Sequence, residues 1–134
     1  METIFYAGDS TVTFNKIDKY PQTGLSQALL LYVKDSVTVK SLARNGRSTK
    51  SFLEEGLLKP AEEQMKKGDF LFIQFGHNDE KEDPMRHTDP DTTFQENLRY
   101  FIRTARDRGA YPVLITPIAR RHFDEDGEFL PGSH

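Results

Sequence analysis

Apolar runs and helical repeats alternate along this chain, and the alternation predicts βαβ units around a mostly parallel sheet. Residues 3–7 (TIFYA) make a first short apolar run and a first expected strand. Between 23 and 34 (TGLSQALLLYVK), Leu25, Ala28, Leu29 and Tyr32 fall on one helical face. Residues 37–42 (VTVKSL) are rich in β-branched side chains and predict a second strand, followed by a helical stretch over about 48–56. Pro60 suits the first turn of a restarted helix, where a missing N–H costs nothing. The run 69–75 (DFLFIQF) is apolar on both faces, as a central parallel strand should be.

After a polar loop over 76–90 comes the clearest helix, 92–108, with Phe94, Leu98, Phe101, Ile102 and Ala105 at helical spacing. Thr92 and Gln95 have the spacing of a capping box, and Gly109 suits the stop. Residues 112–116 (PVLIT) predict a fourth strand, and 120–134 carry no periodicity. The expectation is an α/β fold with a flavodoxin-like sheet, in one domain over 1–134.

Composition narrows the function classes. The 134 residues, 36% hydrophobic and 29% charged, suit one globular domain with a real core. Eighteen basic against twenty-one acidic residues, a net charge of −3, give no electrostatic case for nucleic acid or an anionic membrane as partner. The absence of cysteine excludes disulfides, thiolate metal sites and a thiol nucleophile. No apolar run approaches the roughly 20 residues that span a bilayer, and the N-terminus lacks the order of a secretory signal. Taken as given, the sequence predicts a cytoplasmic protein; an exported form with its signal removed would read the same.

Ligands of open α/β sheets bind outside the carboxyl ends of the strands. Three short motifs fall there: Gly8-Asp9-Ser10 after the first strand, Arg44-Asn45-Gly46-Arg47-Ser48 after the second, and Gly76-His77-Asn78-Asp79 after the third. Each alone reads as a turn. Together they hold the parts that ester hydrolysis requires, an activated hydroxyl and preorganised donors for the oxyanion. Ser10 supplies the hydroxyl. The backbone N–H groups of Ser10 and Gly46 and the side-chain amide of Asn78 are three donors that neighbouring strand ends can bring together.

These motifs resemble those of the SGNH (GDSL-like) hydrolases, and more closely the rhamnogalacturonan acetylesterase branch. Gly8-Asp9-Ser10-Thr11, Ala43-Arg44-Asn45-Gly46-Arg47-Ser48 and Gly76-His77-Asn78-Asp79 match the first three blocks. The segments Phe75 through Lys81, Thr93-Phe94-Gln95-Glu96-Asn97-Leu98 and Pro112 through Ile118 with Arg120-Arg121 are also similar to that branch. The resemblance implies a three-layer α/β/α sandwich and deacetylation of a plant cell-wall polysaccharide such as rhamnogalacturonan. It implies Ser10 as nucleophile, an oxyanion hole of Ser10, Gly46 and Asn78, and no cofactor or metal. An acetylated oligo- or polysaccharide is the implied partner.

One departure stands out. The fourth family block, an Asp-x-x-His pair that supplies the acid and the general base, has no match downstream of the third block: Asp124 has Gly127 three residues on, and Asp126 has Phe129. The expectation is an incomplete N-terminal portion of the domain, lacking the C-terminal strand and helix, with weak or no turnover. It also leaves the fourth strand as a sheet edge. Of the four histidines, His77 lies nearest the proposed amide, His87 and His122 sit in polar stretches, and His134 is terminal.

Asp9 is expected to orient its turn through bonds to the backbone. Arg44, Arg47, Arg120 and Arg121 suit either a uronic-acid substrate or solvent, while Asp79, Glu80, Glu82 and Asp83 read as a solvated acidic loop. Phe70, Phe72 and Phe75 read as core packing. Two rival functions remain: a binding or assembly module without the base, and a flavodoxin-like phosphate or nucleotide binder. No Gly-x-Gly-x-x-Gly or P-loop follows a strand, which argues against the second.

Overall fold

Each apolar run becomes a strand, and all four strands pair in parallel. The computed structural model describes residues 2–118. Strands β1 (Thr3–Gly8), β2 (Thr38–Ser41), β3 (Phe70–Gln74) and β4 (Tyr111–Leu114) lie in the order β2-β1-β3-β4. The register sets Thr3 beside Thr38, Ile4 beside Phe70 and Phe70 beside Tyr111. The carboxyl ends of β2, β1 and β3 are therefore direct neighbours.

Side chains alternate across the sheet, and the two faces carry different loads. One face turns Phe5, Ala7, Leu71 and Ile73 toward α2 (Thr49–Glu54), α3 (Lys59–Gln64) and α4 (Thr93–Asp107). Phe101 of α4 is fully buried there, its ring 5.9 Å from Phe52 and 5.4 Å from Phe75. The other face turns Tyr6 and Phe72 toward α1 (Leu25–Ala28), which covers them with Leu25 and, in the 3-10 turn that follows, Leu29. Helices thus lie on both sides of the sheet, the second layer thin.

The structure departs from the sequence pattern in two places. The helical reading of 23–34 shrinks to α1 and a 3-10 turn over Leu29–Leu31, and Tyr32 is 83% exposed, off the buried face. The start of α1 is anchored elsewhere: the Leu25 and Ser26 N–H groups donate to Thr11 and Val12 carbonyls at 2.8 and 3.1 Å. Gly24 lies so close to this loop that a Cβ would sit 1.9 Å from the Thr13 carbonyl. Past Leu29 the segment no longer meets the apolar cluster around Tyr6 and Phe72, so helical spacing alone cannot extend it.

The capping box expected at Thr92 and Gln95 does not form. Phe94 N–H donates to the Asp89 carbonyl at 2.9 Å, the Thr93 hydroxyl accepts from Asp89 N–H at 2.7 Å, and the Gln95 amide donates to Pro90 O. The capping box lies instead at α2, where Ser48 and Ser51 hydroxyls each accept the other's N–H. Gly109, at φ 72°, closes α4 as expected, with Ala110 N–H returning to the Ala105 carbonyl. Pro60 sits in the first turn of α3. At β4, Tyr111 and Leu114 are exposed on an edge of the described sheet.

Candidate active site

The turn after β1 is built to present one side chain. Gly8 must lack a side chain, because a Cβ would fall 2.5 Å from Val12 Cγ2 and 2.9 Å from the Gln74 carbonyl. Asp9 is buried, and its carboxylate accepts from the Thr11 N–H at 2.9 Å and the Thr11 hydroxyl at 2.7 Å. Its carbonyl takes the Val12 and Thr13 N–H groups. This wraps the chain around Asp9 and leaves Ser10 exposed at the crest.

The second motif is tied to the first. Arg44 N–H donates to the Gly8 carbonyl at 3.2 Å, and the Thr13 hydroxyl lies 2.9 Å from Asn45 Oδ1. Gly46 turns at φ +75°, a left-handed conformation that a side chain resists. Neither the Ser10 nor the Gly46 N–H has a partner among the described residues, whereas Ser48 N–H is taken up by the α2 capping box.

The third motif leaves β3 beneath Pro117, which packs so closely on Gly76 that a Cβ would lie 2.4 Å from its Cγ. Asn78 is 8% exposed and its amide is held at both ends. Nδ2 donates to the Arg47 carbonyl at 3.0 Å, and Oδ1 faces Arg86 Nη1 at 3.4 Å. An amide nitrogen carries two hydrogens, so one N–H remains. Ser10, Gly46 and Asn78 thus emerge from the ends of β1, β2 and β3, with the second motif bonded to both others.

Asp79 corrects the reading of a solvated acidic loop. It is buried, and its carboxylate accepts from the Thr49 N–H at 2.9 Å, the Thr49 hydroxyl, and the Thr88 hydroxyl at 2.8 Å. Burial raises its pKa above the ordinary value, opposed by the Thr49 and Thr88 hydrogen bonds. Glu82 and Asp83 are exposed, and Asp83 lies low because the Met85 N–H, and then Arg86, bond its carboxylate. No cluster of metal-ligating side chains occurs among the described residues.

Below the motifs, the buried Gln74 amide accepts the Tyr6 hydroxyl at 2.6 Å and donates to the Thr116 carbonyl at 3.2 Å, joining β1, β3 and the end of β4. Burial, with help from the Asp9 charge, pushes the Tyr6 hydroxyl up to about 12, so it remains a donor at any working pH. Tyr6 also meets Phe72 edge-on at 5.4 Å, while Phe70 stacks obliquely on Tyr111 and Phe75 is fully in the core.

No imidazole is directed at Ser10 within the described residues. His77 Nε2 donates to the Ile118 carbonyl at 2.7 Å, and His87 Nδ1 to the Lys81 carbonyl at 3.0 Å. Arg47 forms a bidentate pair with Glu55 at 2.8 Å and bonds the Asn45 carbonyl, so it braces the second loop; Arg44 is exposed. Arg120, Arg121, His122, Asp124, Asp126 and His134 lie outside the described residues. A cavity of about 260 Å³ lies between α3 and α4, around Tyr100 and Arg103, and includes none of the motif residues.

Sequence reasoning missed Arg86. Its signal was local: Asp83-Pro84-Met85-Arg86 is a turn sequence whose first carboxylate can catch the arginine three residues on.

No family model matches the chain. Rhamnogalacturonan acetylesterase RhgT of Bacillus subtilis is 45% identical over 92% of the chain and 52% of its own length. YesY of the same bacterium is 44% identical over 95% of the chain and 58% of its own length. The chain thus spans about half the length of these curated relatives. Among solved structures, the YxiM protein of Bacillus subtilis superposes with a TM-score of 0.81 at 30% identity, over 93% of this chain and 35% of that one. A lipase/acylhydrolase from Enterococcus faecalis shares the fold at a TM-score of 0.52 and 20% identity, over 90% of this chain and 60% of that one.

Proposed function

We propose, for a chain homologous to rhamnogalacturonan acetylesterases and built on the SGNH hydrolase fold, that its three motifs form the nucleophile and oxyanion hole of a carbohydrate acetylesterase. Ser10 Oγ attacks the carbonyl carbon of a sugar-bound acetyl group. Negative charge then gathers on the carbonyl oxygen, and the Ser10 N–H, the Gly46 N–H and the remaining Asn78 N–H receive it. Collapse of the tetrahedral species breaks the bond to the sugar oxygen and leaves acetyl on Ser10, which water removes in a second step. The substrate class is an acetylated pectin-like polysaccharide, by analogy with the relatives' names.

What supports this reading is an exposed serine whose N–H, like that of Gly46, has no partner among the described residues, together with a clamped amide, at three adjacent strand ends. Proton removal from Ser10 is the weak step. General-base help is worth about 10²- to 10⁴-fold, and no described imidazole or carboxylate bonds the Ser10 hydroxyl. We therefore expect slow turnover by the chain as given.

Release of acetate from acetylated rhamnogalacturonan fragments, and hydrolysis of p-nitrophenyl acetate, test the proposal. Both are expected at a low rate that Ser10→Ala abolishes. Equal hydrolysis by the serine and alanine forms would overturn it. The lack of a described base also favours a second reading, a non-catalytic carbohydrate-binding module. Saturable binding of an acetylated oligosaccharide with no Ser10-dependent acetate release would select that reading.

A further inference from the structure

The loop between β3 and α4 carries a cation to the proposed oxyanion hole. Asp83, midway along it, orders the turn: one carboxylate oxygen accepts the Met85 N–H at 2.9 Å, and the other meets Arg86 Nε at 3.1 Å. The loop is fastened on both sides. Lys50 of α2 bonds the Pro84 carbonyl, and Thr88 is held by Asp79 through its N–H and its hydroxyl. The guanidinium so placed reaches Asn78 Oδ1 at 3.4 Å, and its Nη1 lies 4.0 Å from where a Gly46 Cβ would be. Its side chain is only about one-third exposed, at 32%.

We propose that Arg86 is a positioning residue for Asn78, an inference that rests on the acetylesterase reading for its catalytic consequence. An asparagine amide has two orientations that differ by exchange of oxygen and nitrogen, and only one offers donors to an oxyanion. Arg86 accepts nothing, so the atom facing it must be the oxygen. The Arg47 carbonyl donates nothing, so the atom facing it must be the nitrogen. The pair admits one orientation and leaves one N–H unassigned. A cation on the amide oxygen also withdraws electron density from the nitrogen and strengthens that N–H as a donor. Charge developing on a substrate oxygen therefore meets an amide that is both fixed and polarised, with a positive charge behind it.

Two measurements on the full 134-residue chain test this. In ¹⁵N-resolved NMR, with the Asn78 side-chain amide assigned by its loss in Asn78→Asp, Arg86→Met should shift both Nδ2 hydrogens and accelerate their exchange with water. Arg86→Lys should restore part of the shift. Asn78 amide signals unchanged in Arg86→Met overturn the inference, whatever the chain hydrolyses. In the p-nitrophenyl acetate assay, Arg86→Met should lower kcat by about tenfold, less than the loss of an oxyanion donor itself. KM should hold, and Arg86→Lys should recover part of the rate. An unchanged kcat in Arg86→Met, against a Ser10→Ala form that is dead, also overturns it. Hydrolysis that does not depend on Ser10 defeats the acetylesterase reading alone, and the NMR comparison still decides Arg86.

Discussion

The Asp79 carboxylate grips Thr49 twice, at its N–H and at its hydroxyl, and so binds the loop after β3 to the first residue of α2. Thr49 in turn accepts from the Asn97 amide of α4 at 3.1 Å. Gly46 precedes the first residue of α2 by three positions, and Asn78 precedes Asp79 by one. One buried acid therefore fixes the spacing between two of the three proposed oxyanion donors.

That acid should make stability depend on pH with a definite sign. Burial raises the Asp79 pKa in the folded protein, so between the unfolded value, about 3.9, and the raised folded value the folded state holds more proton. Stability contributed by this group is greatest below that window and declines as pH rises through it. Asp79→Asn cannot ionise and removes the decline. Urea midpoints of the two proteins from pH 3 upward should move in favour of the variant as pH rises, relative to the parent. A constant difference across the range would contradict the assignment.

Asn78→Ala deletes one proposed donor and the contact to the Arg47 carbonyl. A loss of about 10²- to 10³-fold in kcat is expected, with little change in KM, because the bond strengthens only as charge develops. Steady-state kinetics on p-nitrophenyl acetate measures it.

Gly46→Ala and Gly68→Ala separate backbone strain from the site. Both glycines hold positive φ, at +75° and +89°, and neither has a close neighbour that an added methyl would strike. Each substitution should cost about 1 kcal/mol, seen as a Tm several degrees lower. Only the change at Gly46 should also slow labelling of Ser10 by a fluorophosphonate.

Phe101→Ala opens a hole between Phe52 and Phe75 in the main core. The expected loss is about 3–5 kcal/mol, a large part of the stability of a domain this size. Chemical denaturation gives the value directly.

Strand β3 was legible because a central parallel strand must be apolar almost throughout, and 69–75 announces this in its own residues. Helix α4 was legible because Phe94, Leu98, Phe101 and Ala105 meet one flat surface at one period. The extent of α1 was not, because its start is set by carbonyls of Thr11 and Val12, partners that no local pattern reveals. The three motifs were readable from chain position alone, as strand-end glycines, a serine and an amide. The supports around them were hidden: Asp79 looked like one of several surface acids, and Arg86 like a loop arginine. Both act through partners that folding brings from elsewhere, Asp79 through Thr49 and Arg86 through Asn78.

Ser10, Gly46 and Asn78 lie more than thirty positions apart along the chain, and what unites them is the side-by-side pairing of β2, β1 and β3. No single hairpin or helix holds two of them, so no early local structure can contain even a partial site. The order of assembly follows: the donors face one another only after two long loops have closed, a late and entropically costly event. The paired amides of β1 and β3 should consequently exchange with solvent through opening of the whole sheet, whereas the Ser10 and Gly46 N–H groups, without a partner among the described residues, exchange without it. The proposed site would then share the lifetime of the native state itself, surviving as long as the sheet survives and vanishing with it.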